Sequence, residues 1–266
     1  MINVKRIIMI ACALLLVGGI GSIMSYRFYE PVTLAVTKEI ESTDITSVEI
    51  DMQNEKVEII PTTDPVPKVE LTGTEDSHTK SELVVEENNN TLSIYTENEM
   101  AKWFSFNFFN NTRTLTVYLP EQEKQNLEVE TSNGSLQARD LTVNQVNVET
   151  KNGKVELSDV VADSYQLRAY NGKIDLENVE GELAARVNNG AISLVTENLD
   201  RNINFETDNG RIKIQSEKEP TNTVFDTSVK NGRVNLFDDS DYSTVIGDGD
   251  NLVKLSTKNG SITVSQ

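Results

Sequence analysis

The sequence predicts an all-β fold, a β-solenoid, preceded by one N-terminal transmembrane helix. Three observations predict it. An Asn-Gly pair recurs seven times between residues 127 and 266, at Asn133-Gly134, Asn152-Gly153, Asn171-Gly172, Asn189-Gly190, Asn209-Gly210, Asn231-Gly232 and Asn259-Gly260. Apolar residues alternate with polar ones on both sides of each pair. Residues 7–26 carry no charge.

The pairs are spaced by 19, 19, 18, 20, 22 and 28 residues. A period of this size marks one supersecondary unit stacked on the next. Six positions before each Asn stand Leu127, Val146, Tyr165, Leu183, Ile203, Phe225 and Val253, and three after it stand Leu136, Val155, Ile174, Ile192, Ile212, Val234 and Ile262. The positions four before, two before and five after are also mostly apolar or Thr, so each flank is a strand with one buried face. Between them lie residues such as Glu128, Glu149, Glu156 and Asp175, on a wet face.

The inward set changes parity at the corner, and Gly supplies the positive φ such a bend needs. Asn-Gly is also the signal for a type I′ hairpin, so a hairpin meander is the alternative. The columns favour the solenoid. Each keeps its residue type down the stack, where like meets like at about 4.8 Å. Asn on Asn then forms an amide ladder. Asp140-Leu141, Asp159-Val160, Asn178-Val179 and Asn198-Leu199 recur at nearly constant offset and mark a second corner.

The domain organisation follows. Residues 1–29 are the membrane anchor, 30–44 a linker, 45–126 divergent coils with an aromatic insertion, and 127–266 the regular array. Twenty uncharged residues suffice to span a bilayer as a helix. Lys5 and Arg6 precede them, so the N-terminus is expected in the cytoplasm and the C-terminal domain outside. A cleaved signal peptide is the rival, but no A-x-A-like site stands before Glu30. The one cysteine, Cys12, lies in this run, so the outer domain has no disulfide. In the stretch from Ile45, Val48, Ile50 and Met52 precede Asn54, and Val57 and Ile59 follow; Glu55 replaces Gly, so this corner is expected to be less strictly specified. Pro61, Pro65 and Pro67 argue against a central strand after it.

Composition excludes several functions. The net charge is −18. Such a surface repels nucleic acid and anionic lipid. His78 is the only histidine, which excludes Ser-His-Asp and Cys-His catalysis in ordinary form. No Gly-rich nucleotide loop is present. Asp239 and Asp241 begin like a calcium loop, but Thr244 stands where that loop needs Gly. No metal, cofactor or catalytic residue is therefore expected.

Two features are candidate contacts. Residues 97–112 hold Trp103, Phe104, Phe106, Phe108 and Phe109, which read as a cap on an open flank or as a patch meeting a partner or the membrane surface. Two residues after the Asn stand Ser135, Lys154, Lys173, Ala191, Arg211, Arg233 and Ser261. Its four cations discourage edge pairing and neutralise neighbouring acids, or form a track for an anionic cell-wall polymer. The last coil, 257–266, shows no cap, so it pairs with another chain in self-association or is covered by an earlier segment.

The basic start with its single anchor, the VEI and KVEI opening, the aromatic insertion before TLTVYLP and the Asn-Gly array together resemble the bacterial putative-adhesin domain family of unknown function, and within it the membrane-anchored LiaG-type proteins of Gram-positive bacteria. The resemblance covers nearly the full chain. It implies a single-stranded right-handed β-helix outside the cytoplasmic membrane, associated with cell-envelope stress, and supplies no catalytic residues. A non-enzymatic binding or scaffold protein, with an envelope protein or wall polymer as partner, is the expectation; a polysaccharide-acting enzyme on the same fold is the alternative.

Overall fold

A computed structural model describes residues 4–28, 31–76, 81–98, 113–121, 125–237 and 243–266. One helix, α1 (Val4–Phe28), precedes fifteen strands. These are β1 (Pro31–Glu39), β2 (Ser47–Met52), β3 (Lys56–Thr62), β4 (Lys68–Asp76), β5 (Ser81–Asn88), β6 (Thr91–Asn98), β7 (Arg113–Pro120), β8 (Asn126–Thr131), β9 (Ser135–Thr142), β10 (Gln145–Glu177), β11 (Glu180–Thr196), β12 (Ile203–Ser216), β13 (Thr223–Leu236), β14 (Ser243–Ile246) and β15 (Asn251–Ser265). The side chains described within α1 at 9–21 are exposed. Among the described residues no helix is long and apolar enough to cross a membrane.

The array is a stack of coils. β10 and β11 run parallel and in register through the corner, with Ala169 opposite Val187, Asn171 opposite Asn189, Gly172 opposite Gly190 and Ile174 opposite Ile192. β11 and β12 repeat this. Parallel pairing across each Asn-Gly excludes the hairpin meander. The inward columns close into one core, with Tyr165, Phe205 and Phe225 its largest fully buried side chains. Tyr165 keeps its hydroxyl satisfied there by donating to the Val160 carbonyl at 2.6 Å. A type I′-like hairpin does occur elsewhere: Asn89 and Asn90, at φ 50° and 65°, join β5 to β6 with Asn88 opposite Thr91.

Glycine fills the corner for the expected reason at three coils and for another at all seven. Gly190, Gly232 and Gly260 have positive φ, at 146°, 152° and 156°, whereas Gly134, Gly153, Gly172 and Gly210 do not. At every corner the coils approach too closely for a side chain: a Cβ on Gly153 would lie 1.9 Å from the Gly134 carbonyl oxygen, and one on Gly260 would lie 1.5 Å from that of Gly210. At the second corner Asp140, Asp159 and Asn178 also have positive φ, at 55°, 54° and 50°. These residue types tolerate that region best after glycine.

At both ends the spatial order departs from the sequence order. β2 pairs with β8 and β3 with β9, so the coil containing Asn54 lies directly under the one containing Asn133. β6 and β7 then pair with β2 and β3 on the outer side. At the other end β15 lies between β12 and β13. The C-terminal coil is therefore paired on both sides, and of the two expectations for it the register shows the second, cover by an earlier segment, β13. The end strand is β13, covered at Thr223–Asp226 by antiparallel β14. Its exposed Lys230 and Arg233 discourage further pairing.

Two further expectations change. Residues 31–39, expected within a linker, form β1, which pairs antiparallel with β4 and extends the sheet. Pro61 sits inside β3, opposite Leu119, where the other neighbour, β9, has stopped pairing at Ile59. Its missing N–H therefore costs no ladder bond on that side.

Candidate binding face

The corner carries a continuous side-chain ladder. Asn133 donates to Asn54 at 3.0 Å, and Asn152, Asn171, Asn189 and Asn209 each donate to the Asn of the coil beneath at 2.9 Å. Asn259 donates to Asn209, and Asn231 to Asn259, both at 2.8 Å. This ladder fixes the spacing of the side chains on either side of it.

Glu55 replaces glycine at the first corner, and the corner is no less specified for it. Its side chain is buried and pairs with the Arg113 guanidinium. Its other oxygen accepts from the backbone N–H groups of Gln53 at 3.1 Å and Asn54 at 2.9 Å. The carboxylate thus fixes the two backbone N–H groups of this corner, and Arg113 balances its charge.

The face after the corner holds the predicted cation column. In space it reads Lys56, Ser135, then Lys154, then Lys173, Ala191, Arg211, Ser261 and Arg233. The sequence placed all four predicted cations correctly on this face, but the order differs because β15 intervenes. Lys154 and Lys173 are neutralised. Lys154 lies 2.5 Å from Glu156 and 3.2 Å from Asp175, and Lys173 lies 2.6 Å from Asp175. The Glu156 hydrogen bond, opposed by partial burial, leaves the Lys154 ammonium pKa above its usual value.

Arg211 and Arg233 are exposed and make no ion pair among the described residues. Lys213, two residues beyond Arg211, also stands free there; the sequence reading missed it because it looked at one column only. Between Lys173 and Arg211 the column shrinks to Ala191, with Ser193 beside it. A groove of about 580 Å³ opens there, lined by Lys173, Ala191, Ser193, Arg211 and Lys213.

Trp103, Phe104 and Phe106 lie outside the described residues, as do His78, Asp239 and Asp241. Trp103, Phe104 and Phe106 fall between Asn98, the last residue of β6, and Arg113, the partner of Glu55. Among the described residues no group of three His, Cys, Asp or Glu side chains could hold a metal ion.

The coils described here match the Toastrack DUF4097 family twice, over residues 45–170 and 123–265. The chain belongs to that family. The Toastrack matches overlap over residues 123–170, through β8, β9 and most of β10, and together span the stack from β2 to β15. No curated protein matches the chain. Solved structures similar to it include a putative cell adhesion protein from Clostridium sporogenes, 14% identical with a TM-score of 0.45, the match covering 88% of this chain and 100% of that one. A putative adhesin from Bacteroides fragilis is 15% identical with a TM-score of 0.47, covering 87% and 97%. A putative lipid binding protein from Parabacteroides distasonis is 17% identical with a TM-score of 0.36, covering 87% and 97%. Likenesses this distant carry no information about a ligand of the Toastrack chain.

Proposed function

We propose that this Toastrack protein is a non-enzymatic binding or scaffold protein held at the outer face of the cytoplasmic membrane: a right-handed β-helix on an N-terminal anchor, presenting a rigid face to an anionic polymer of the cell envelope. One observation carries the reading. α1 ends at Phe28 and β1 begins at Pro31, and β1 is the edge strand at the end of the sheet opposite β13 and β14. On this reading the uncharged run 7–26, preceded by Lys5 and Arg6, is the anchor, and β1, which follows it in the chain, is the end of the stack nearest the membrane. Ten strand-to-strand steps separate β1 from β13 along the face after the corner, so the far end stands about 48 Å away at ~4.8 Å per step. The Asn ladder holds the outward side chains at fixed spacing from the Asn54 coil to the Asn231 coil. No observation favours the polysaccharide-cleaving alternative, since Glu156 and Asp175 on this face are tied to Lys154 and Lys173.

The test uses the cysteine count. Cys12, the only cysteine, lies in α1. A Ser261→Cys variant treated on intact cells with a membrane-impermeant maleimide is expected to label, and the chain is expected to stay with membranes through an alkaline wash. Labelling only after lysis, or release by the wash, overturns the reading.

A further inference from the structure

We propose that the groove over Ala191 and Ser193 is a binding site for the phosphodiester groups of a linear polyol-phosphate polymer. The inference deepens the function proposed above by naming the ligand chemistry and the residues that grip it.

The groove lies where two adjacent columns shrink to Ala191 and Ser193 between the coils that carry Lys173 and Arg211 with Lys213. Two and four residues after the Asn stand Lys154 with Glu156, Lys173 with Asp175, Ala191 with Ser193, Arg211 with Lys213, Ser261 with Thr263, and Arg233 with Asn235. The acids of the second column end at Asp175. Beyond it come Ser193, Lys213, Thr263 and Asn235, none of them anionic. Below the groove, cations and carboxylates neutralise one another. Above it, Arg211, Lys213 and Arg233 have no carboxylate partner among the described residues. In a chain of net charge −18, such a cluster is a local exception.

Dimensions and donor types select the ligand. The groove lies between walls two coils apart, about 9.6 Å. Arg211 and Lys213 form one wall and Lys173 the other. The oxygens of a tetrahedral phosphodiester diverge and can meet the Arg211 fork and the Ser193 hydroxyl together, whereas a carboxylate presents two coplanar oxygens in one direction. Arg211 supplies a planar fork suited to paired phosphate oxygens. Lys213, about 7 Å along the strand, takes a neighbouring charge. Arg233 repeats the guanidinium two coils, about 9.6 Å, further along, with the hydroxyls of Ser261 and Thr263 between. A series of donors at this spacing suits a chain of repeated phosphates better than one ion. The dense charge of a nucleic-acid duplex, about one per 1.7 Å, meets repulsion from the acidic remainder of the molecule.

The test is titration of the purified full-length chain, in neutral detergent, with synthetic poly(glycerol phosphate). Binding is expected to weaken as salt rises. Arg211→Gln with Lys213→Gln is expected to weaken it at least tenfold, and Ala191→Trp, which fills the groove and keeps every charge, is expected to do the same. Lys154→Gln, outside the groove, is expected to leave it unchanged. Unchanged affinity in both groove variants overturns the proposal. So does equal binding of polygalacturonate, which makes the face a general polyanion surface, or preferential binding to phosphatidylglycerol vesicles, which makes the ligand a lipid. Because purified protein is titrated, failure here leaves the labelling result on intact cells standing, and the converse also holds.

Discussion

Asn259 donates to Asn209 at 2.8 Å across 50 positions of sequence, while Asn231, nearer in sequence to Asn209, reaches the ladder only through Asn259. β15 is thus the joint between β12 and β13, whose other described partner is the short β14. A chain ending at Asp250 is expected to lose amide exchange protection throughout 223–236 while 145–196 stays slow. Persistent protection of β13 in that chain would show that β13 has docked directly on β12.

Close approach of coils at the glycine column predicts a sharp position dependence. A Cβ on Gly210 would meet the Gly190 carbonyl oxygen at 1.6 Å, and that oxygen belongs to rigid backbone. Gly210→Ala is expected to destabilise by on the order of 4 kcal/mol or more. Gly18→Ala, with nothing within 4 Å, is expected to leave the melting temperature of the β domain unchanged. A mild effect at Gly210 in thermal unfolding would contradict this account of the corner.

Glu55 makes the opposite prediction from the repeat pattern. Glu55→Gly restores the residue found at every later corner, yet it strands the Arg113 guanidinium and frees the N–H groups of Gln53 and Asn54. Breaking a buried pair by removing one partner costs about 3–5 kcal/mol. The variant is expected to fall in stability by on the order of 3 kcal/mol, and adding Arg113→Leu is expected to recover part of the loss. Denaturant midpoints distinguish this from the gain that a consensus argument gives.

Asp200 ties two coils together. It accepts from the Thr221 N–H at 2.9 Å, the Thr221 hydroxyl at 2.7 Å, the Asn222 N–H at 2.8 Å and the Thr223 hydroxyl at 2.9 Å. Burial pushes its carboxyl pKa upward, but the donors from Asn222, Thr221 and Thr223 together outweigh it and leave it below its usual value. A depressed carboxyl contributes stability above its unfolded pKa, about 3.9, and loses it as pH falls through the folded value. Asp200→Asn is expected to lower the melting temperature at pH 7 by about 4–8 °C, for a loss of about 2 kcal/mol. The gap between variant and parent is expected to close below about pH 4. A gap that persists there would show the carboxylate charge to be irrelevant.

Much of this was legible before any coordinates. Alternation identified the inward columns because burial in a strand has period two, and the buried set includes the residues of those columns, with Val229 only partly buried. The amide ladder was legible too, because like residues at one period are brought together by stacking. Coil order was not: swapping β13 with β15 keeps every column's composition, since Asn231 and Asn259 both carry an alternating flank on each side. Nor was the pairing of Glu55 with Arg113, whose partners are 58 positions apart. The candidate site was half legible. The cation column follows from offsets, but its division into neutralised Lys154 and Lys173 and free Arg211 depends on which acids stand beside it. That requires two columns read together and the neighbours across coils.

The inverted order at the end of the stack sets a schedule for biosynthesis. Residues 223–236 emerge before 251–265, yet they can join the stack only after those later residues have docked on β12. At about 5–20 residues per second, the 29 positions between Leu236 and Ser265 hold β13 waiting for about 1.5–6 s. During that interval β12 and β13 both offer bare backbone to any neighbouring strand. Arg211 and Lys213 on one, with Lys230 and Arg233 on the other, put exposed charge along both waiting edges, which discourages pairing with foreign strands until the intended partner arrives.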